Sequence, residues 1–254
     1  MILVAGGDSF IHGAELSDQL MPNPSNLTFP ALLAKQHGLE YSCAAWPGSA
    51  NNCITRLTLA ECERLRRLGE KFAVIISWTF TFRYEFRFSY NTYNKTTPWY
   101  SINIWDVDTN RIYDKLTKNT DIVDFIKMYY KHVGDNEYNE IYTTLKEVVF
   151  MQNYLKTNDI PYVFTTADNT FYQCNNTRDT YLDNLYDQID WDKWYFFPAG
   201  TETNETQNPR GFYQWAVENK YDIGVNRHPL DLAHRDAAEL IKGTFDELVI
   251  KNLQ

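Results

Sequence analysis

Apolar runs alternate with amphipathic stretches through the first part of the chain. Residues 2–5 form an apolar run that stops at Gly6-Gly7-Asp8-Ser9, and Phe72–Trp78 is a second, nearly unbroken run. Such runs are typical of strands buried on both faces of a parallel sheet. Asn51–Leu68 has apolar residues at helical spacing among charged ones, which predicts an amphipathic helix capped by Gly69.

The remaining patterns extend this opening into a β-α-β-α-β series. They predict helices over residues 29–37, 137–157 and 230–253, and strands over 39–45, 161–166 and 191–197. This order favours right-handed crossovers and a doubly wound sheet. We therefore expect an α/β fold: a three-layer α/β/α sandwich with a mostly parallel, flavodoxin-like five-stranded sheet.

Two aromatic-rich segments interrupt the series, at about 80–135 and 168–222. In the first, Phe80, Phe82, Tyr84, Phe86 and Phe88 alternate with polar residues, and residues 99–113 suggest a hairpin around Asp108-Thr109-Asn110. We interpret both segments as insertions into a single domain that spans residues 1–254.

Composition narrows the possible partners. The formal net charge of -9 argues against nucleic acid or an anionic membrane as the main partner. The four cysteines lack the spacings of zinc sites, and we expect reduced thiols, no metal and no cofactor. With the first strand starting at Ile2, we expect no signal peptide and a cytoplasmic protein.

Four polar segments lie at predicted strand ends or helix starts, where ligands bind in open α/β sheets. They are Gly7-Asp8-Ser9, Gly48-Ser49-Ala50-Asn51, Ser77-Trp78-Thr79 and the stretch from His228-Pro229 to His234. In this combination and order the chain resembles the SGNH (GDSL-like) hydrolase family. The resemblance implies an ester hydrolase with the same α/β architecture.

The resemblance also implies roles for individual residues. Ser9 matches the nucleophile, and Gly48 matches the glycine whose amide holds the oxyanion. Thr79 stands near the position of the family's oxyanion asparagine. His228, followed by Pro229, matches the base.

The sequence leaves open which acid orients the base and which histidine is the base. The family's acid, three residues before the base, corresponds to Val225 here, so Asp222 or Asn226 are the candidates to orient His228. In another register, Asp231 and His234 form the Asp-x-x-His pair. We prefer His228, with Asp231 as an acid at a helix start.

Three further residues are candidates to line the site. Asp8 would brace the nucleophile loop, and Asn51 would cap its helix or rigidify the loop before it. Arg83 would supply positive charge, or else pair with Glu85 at the surface. We expect His12 to be an exposed loop histidine.

We therefore expect a serine esterase that acts on a small or carbohydrate-linked O-acetyl ester. Two alternatives remain: a catalytically degenerate protein of the same fold that binds a glycan or has an accessory structural role, and a flavodoxin-like nucleotide binder that uses the Gly6-Gly7-Asp8-Ser9 turn.

Overall fold

The computed structural model describes residues 1–88, 99–108, 120–172, 179–199 and 209–253. Its strands are β1 (Ile2–Gly6), β2 (Glu40–Cys43), β3 (Phe72–Trp78), β4 (Tyr84–Arg87), β5 (Trp99–Ile102) and β6 (Tyr162–Thr166). Its α-helices are α1 (Ser9–His12), α2 (Phe29–Gln36), α3 (Asn51–Leu68), α4 (Ile104–Asp108), α5 (Thr120–Tyr129), α6 (Glu137–Thr157), α7 (Thr180–Tyr186), α8 (Phe212–Glu218), α9 (Asp231–Phe245) and α10 (Lys251–Leu253).

The central sheet is parallel, with the strand order β2-β1-β3-β6. Val4 pairs with Ser42 on one side and with Val74 on the other, and Ile75 pairs with Val163. Strands β1, β3 and β6 are buried along their whole length. This is what continuous apolar runs require, because side chains point alternately to both faces of a sheet.

Each face of the sheet carries its own hydrophobic core. Val4, Ile76 and Phe164 pack with apolar residues of α3 and α6 on one face. Their neighbours Leu3, Ile75 and Val163 pack with α2, α8 and α9 on the other. The expected three-layer α/β/α sandwich is confirmed. Successive side chains of each strand point to opposite faces of the sheet, so each strand packs against both layers of helices.

The first aromatic-rich insertion has a small core of its own. Strands β4 and β5 pair antiparallel, and a cluster that includes Tyr84, Val123 and Tyr130 packs beside them. The Tyr130 hydroxyl donates to the Ile102 carbonyl at 2.6 Å. The hairpin expected within residues 99–113 is wrong in its first half, because β5 pairs with β4 and helix α4 follows it. Residues 109–113 lie outside the described residues.

Two other expectations need correction. The fifth strand is reduced to two isolated bridges after a 3-10 turn at Trp191–Lys193: a parallel one between Phe164 and Trp194 and an antiparallel one between Phe197 and Arg210. Trp194 stacks on Phe171 and Phe196 there, so ring packing replaces a strand ladder. The closing helix is continuous only to Phe245, where a π-helical turn over Asp246–Ile250 follows.

The thiols of Cys43, Cys53 and Cys62 are free, and Cys174 lies outside the described residues. Among the helices described, none has the length and apolar character needed to cross a bilayer.

Close packing at the carboxyl end of β1 depends on glycine. A Cβ at Gly6 would lie 2.2 Å from Thr58 Oγ1 of α3, and one at Gly7 would lie 2.3 Å from Ile11 Cγ1 of α1. Helices α3 and α1 therefore approach the strand end closely only because these two residues have no side chain.

We predict that Gly6→Ala destabilises the protein by about 1–3 kcal/mol, because the added methyl group overpacks the contact with Thr58. Urea denaturation followed by circular dichroism measures the change in the free energy of unfolding. Gly243→Ala is the matched control: a Cβ at Gly243, within α9, meets no atom within 4 Å. That variant should be neutral or more stable by up to about 1 kcal/mol. Equal effects of the two substitutions would contradict the packing argument.

Candidate active site

Ser9 begins the short helix α1, directly after the turn that ends β1. The carboxylate of Asp8 caps this helix by accepting a hydrogen bond from the Phe10 amide at 3.0 Å. Asp8 is fully buried, and Ser9 is 7% exposed. The strand end thus fixes the Ser9 backbone firmly at the rim of the sheet.

A histidine held by a carboxylate lies against this helix. His228 Nδ1 and Glu15 Oε2 are 2.6 Å apart, and both side chains are largely buried. The His228 ring also contacts the edge of the Phe10 ring, with the ring centroids 5.6 Å apart. Phe10 directly follows Ser9, so the His228–Glu15 pair adjoins the segment that carries the serine.

The Glu15 carboxylate packs against Gly224, which has no side chain to exclude it. A Cβ at Gly224 would lie 2.6 Å from Glu15 Oε2, and the Gly224 amide donates to the His228 carbonyl at 2.8 Å. Burial alone would raise the pKa of Glu15, but hydrogen bonds from His228 and from the amide of Asn226 outweigh it and lower that pKa. Glu15 is therefore an ionised partner for the imidazole at neutral pH.

Glu15 was missed by the sequence analysis, which considered Asp222 and Asn226 as orienting groups. Asp222 offers its backbone carbonyl to the Leu230 amide at 3.1 Å, and Asn226 binds Glu15 rather than the ring. Glu15 has φ of 68°, which is unusual for a residue other than glycine, but this is a property of the folded loop that the sequence does not signal.

The second histidine has a different environment. His234 is buried, its Nδ1 accepts a hydrogen bond from the Phe29 amide at 3.2 Å, and it stacks on Phe29. Burial lowers the pKa of His234 to about 3, so its ring is neutral. Asp231 accepts hydrogen bonds from the backbone amide and the hydroxyl of Ser17. Both residues are thus engaged in contacts that tie α9 to the segments around Ser17 and Phe29.

The turn at Gly48 follows β2 and adjoins the loop after β1, where the Trp46 amide donates to the Gly7 carbonyl at 3.4 Å. Gly48 has φ of 78°, which favours glycine, and the Ser49 hydroxyl closes the turn on the Trp46 carbonyl at 2.7 Å. Within the described residues, neither the Gly48 amide nor the Ser9 amide donates to a protein acceptor. Two N–H groups are therefore available at the carboxyl edge of the sheet.

Thr79 and Arg83 form a buried network with Asp8. The Thr79 hydroxyl donates to Asp8 Oδ2 at 2.6 Å, and Arg83 Nη1 binds the same oxygen at 2.9 Å. Arg83 Nη1 also reaches the Ser49 carbonyl at 3.3 Å. The surface pair of Arg83 with Glu85, one of the two expectations, is wrong: Glu85 pairs with Arg56 instead.

Asn51 connects this network to the helices. Its amide nitrogen donates to the Thr79 carbonyl, its amide oxygen accepts from the Thr79 amide at 2.8 Å, and it also bonds Thr144 of α6. The N-cap of α3 is Ala50, without a side-chain cap. Asn51 therefore fixes the loop after β3 rather than capping its own helix.

His12, expected to be exposed, is 2% exposed. Its Nε2 lies 3.2 Å from the Pro22 carbonyl, and its ring contacts Trp46 edge to face. Burial lowers the pKa of His12. The loop that follows α1 folds back over this side chain, which local polarity around His12 did not indicate.

Asp168 is a second residue that the sequence analysis missed. It follows the end of β6, it is buried, and its carboxylate accepts from the Thr170 hydroxyl at 2.7 Å. Burial raises the pKa of Asp168 to about 7, with the charge of Asp8 adding to the rise and that of Arg83 opposing it. The rule that placed polar residues at strand ends applies equally to Asp168.

Among the described residues, no group of three or more His, Cys, Asp or Glu side chains is arranged so that it could hold a metal ion.

A model of a family of unknown function, DUF6071, matches residues 15–244. The chain belongs to this family. The matched span includes Glu15 and His228. No curated protein matches the sequence.

Several solved structures are similar to this member of the family. One is an acetyl xylan esterase from the rumen bacterium Butyrivibrio proteoclasticus, with 13% identity, a TM-score of 0.48, and coverage of 97% of this chain and 63% of that one. Another is a carbohydrate esterase family 2 enzyme with a carbohydrate binding domain from Corynascus thermopiles (Myceliophthora fergusii), with 13% identity, a TM-score of 0.46, and coverage of 97% and 66%. A lipolytic G-D-S-L family protein from Veillonella parvula has 10% identity, a TM-score of 0.43, and coverage of 99% of both chains. The chain spans about two thirds of the length of the two carbohydrate esterases.

We predict that Asp168→Asn changes the pH dependence of stability. The folded state keeps the Asp168 proton up to about pH 7, whereas the unfolded chain loses it near its ordinary pKa of 3.8. Between these values the folded state binds more protons, so this group lowers the free energy of unfolding as pH rises, by at most about 1.4 kcal/mol per pH unit.

The difference in unfolding free energy between Asp168→Asn and the wild-type protein should therefore grow in favour of the variant from pH 4 to pH 7, and level off above. Urea titrations across this range measure it. Parallel curves for the two proteins would show that Asp168 does not hold its proton when folded.

Proposed function

We propose that the protein is a serine ester hydrolase in which Ser9 is the nucleophile, His228 the general base and Glu15 the acid that orients it. The observation that carries this proposal is the 2.6 Å contact between His228 Nδ1 and Glu15, next to the helix that Ser9 begins. A serine hydroxyl is a weak nucleophile at neutral pH, and a histidine oriented by a carboxylate is the arrangement that activates it.

The roles of the two ring nitrogens follow from this contact. Glu15 binds Nδ1, so Nδ1 carries the proton and Nε2 is left to accept one. In the first step the Ser9 oxygen bonds to the ester carbonyl carbon while its proton moves to His228 Nε2. The tetrahedral intermediate then expels the alcohol, which takes that proton. A water molecule repeats the sequence on the acyl-enzyme and releases the acid and free Ser9.

The oxyanion of the tetrahedral intermediate would be held by the amides of Ser9 and Gly48, which have no other acceptor among the described residues. The Thr79 hydroxyl donates to Asp8 instead, so the proposal assigns Thr79 to the support of the nucleophile loop. Arg83 supports both loops at once, through Asp8 and the Ser49 carbonyl. It acts as a positioning residue.

For the substrate, we propose a small or carbohydrate-linked O-acetyl ester. Supporting features are the acidic net charge and the exposed aromatic side chain of Trp46 beside the Gly48 turn. An acidic protein surface disfavours anionic lipid interfaces.

A second candidate is a non-catalytic member of the same fold that binds a glycan. It is favoured by one observation: within the described residues, no hydrogen bond joins the Ser9 hydroxyl to His228. Catalytic hydrogen bonds are often long in ligand-free enzymes, and we therefore give preference to the hydrolase.

We predict that a fluorophosphonate probe labels Ser9 and that the wild-type protein hydrolyses p-nitrophenyl acetate. Ser9→Ala should abolish the labelling and reduce kcat/KM by about 10³-fold or more, because no other nucleophile replaces the hydroxyl. Mass spectrometry of the labelled peptide and initial-rate kinetics are the measurements. Ser17→Ala is the control for an exposed serine in the same segment. If the probe leaves Ser9 unmodified and Ser9→Ala retains the wild-type rate, the hydrolase proposal is rejected in favour of the non-catalytic candidate.

A further inference from the structure

Two adjoining cavities lie on the outer side of α3, where the β4–β5 pair packs beside it. The larger has a volume of about 870 Å³ and the smaller about 500 Å³. They share Arg56, Glu85 and Trp99 as lining residues. We call the two together the α3 groove.

The smaller cavity extends to the turn that contains Gly48. It is lined by Trp46 and Gly48, so one end of the α3 groove adjoins the amide that would hold the oxyanion. The larger cavity continues along α3 from Asn52 to Arg67. The sixteen residues from Asn52 to Arg67 extend over about 22 Å, which is far more than an acetyl group occupies.

The lining combines aromatic faces with hydrogen-bonding groups. Trp46 is 49% exposed, and Trp99 and Tyr100 add two further rings. The Arg56 guanidinium lies 4.5 Å from the Trp99 ring centroid, which holds the ring in place. Saccharides have apolar C–H faces and hydroxyl edges, and a groove of rings and polar side chains complements both.

The charges of the groove point to a neutral ligand. The Arg56 guanidinium is neutralised by Glu85 at 2.5 Å, and Arg64 by Glu61 at 2.7 Å. Arg67 also lines the groove, but the three arginines are matched by the three glutamates of the lining, so the groove offers no concentrated positive field for a polyanion. The carboxylates of Glu63 and Glu147 in the lining would also repel a polyanionic ligand.

We propose that the α3 groove binds a neutral saccharide chain and presents an ester on that chain to Ser9. The catalytic half of this inference rests on the proposed hydrolase function, whereas the binding half does not. In this proposal the substrate is recognised on the side of α3 that faces β4 and β5. These two strands belong to the first insertion.

The binding half is tested in the Ser9→Ala protein, which cannot turn over an ester. Xylohexaose and cellohexaose, two neutral oligosaccharides without acyl groups, are titrated by calorimetry, with hexagalacturonate as the anionic comparison. Ala60→Arg fills the exposed floor of the groove without removing a contact, and Trp99→Ala removes a ring. Each should weaken binding of a neutral hexasaccharide by about tenfold or more, equivalent to about 1.4 kcal/mol.

Two variants on exposed helix positions outside the groove are matched controls. Val217→Arg on α8 corresponds to Ala60→Arg, and Phe150→Ala on α6 corresponds to Trp99→Ala; both should bind as tightly as the parent. The groove proposal is overturned if neither neutral hexasaccharide binds, if hexagalacturonate binds more tightly, or if the controls lose as much affinity as the groove variants.

Hydrolysis of p-nitrophenyl acetate by the protein with an intact Ser9 separates the two proposals. Saccharide binding that depends on Ala60 and Trp99 without any turnover would leave the groove standing and reject the hydrolase. Turnover without saccharide binding would do the reverse.

Discussion

The buried ion pair of Asp8 and Arg83 is the interaction on which the geometry of the site depends. Asp8 is fully buried, and one of its carboxylate oxygens receives both Arg83 Nη1 and the Thr79 hydroxyl. Arg83 extends the connection to the Ser49 carbonyl, so three loops at the carboxyl edge of the sheet are joined around one charge pair. Removing either partner would leave an uncompensated buried charge, which typically costs about 3–5 kcal/mol.

The Asp8–Arg83 pair lies at the carboxyl ends of the parallel strands, where the polar side chains of the sheet collect. The strands themselves are apolar on both faces, so hydrogen-bonding side chains collect at the strand ends, and the glycines that end β1 let α1 and α3 approach closely. His228 reaches this region from the opposite end of the chain, where it contacts the Phe10 ring and binds Glu15, whose carboxylate lies against Gly224. Core packing and site geometry are therefore consequences of the same strand ends.

Much of the fold could be predicted from local patterns. Asn51–Leu68, Phe72–Trp78 and Glu137–Thr157 have the bounds that their periodicity indicates, since burial on one or both faces sets that periodicity. The short aromatic run at 191–197 was misleading. Its rings pack against Phe171 and one another, and aromatic residues favour such clusters as readily as strands.

The site was predictable only where a residue type follows a strand end. That rule draws attention to Ser9, Gly48 and Thr79, and it would also have found Asp168. It could not find Glu15, which lies 213 positions before His228 and in a loop without a regular pattern. Such a contact is set by tertiary packing of two loops, and neither loop carries a sequence signal for the other.

Glu15 is proposed to activate Ser9 through His228, and the rate at which a fluorophosphonate modifies Ser9 in the Glu15→Gln variant tests this role most directly. The substitution keeps the size of the side chain and removes its charge. We expect the second-order rate constant of modification to fall by about 10²- to 10⁴-fold at neutral pH, the usual contribution of an oriented general base. Asp222→Asn, made in parallel, gives the comparison with the acid that the sequence offered as the orienting group for His228. A rate unchanged in Glu15→Gln, or reduced more in Asp222→Asn, would contradict the proposed role of Glu15.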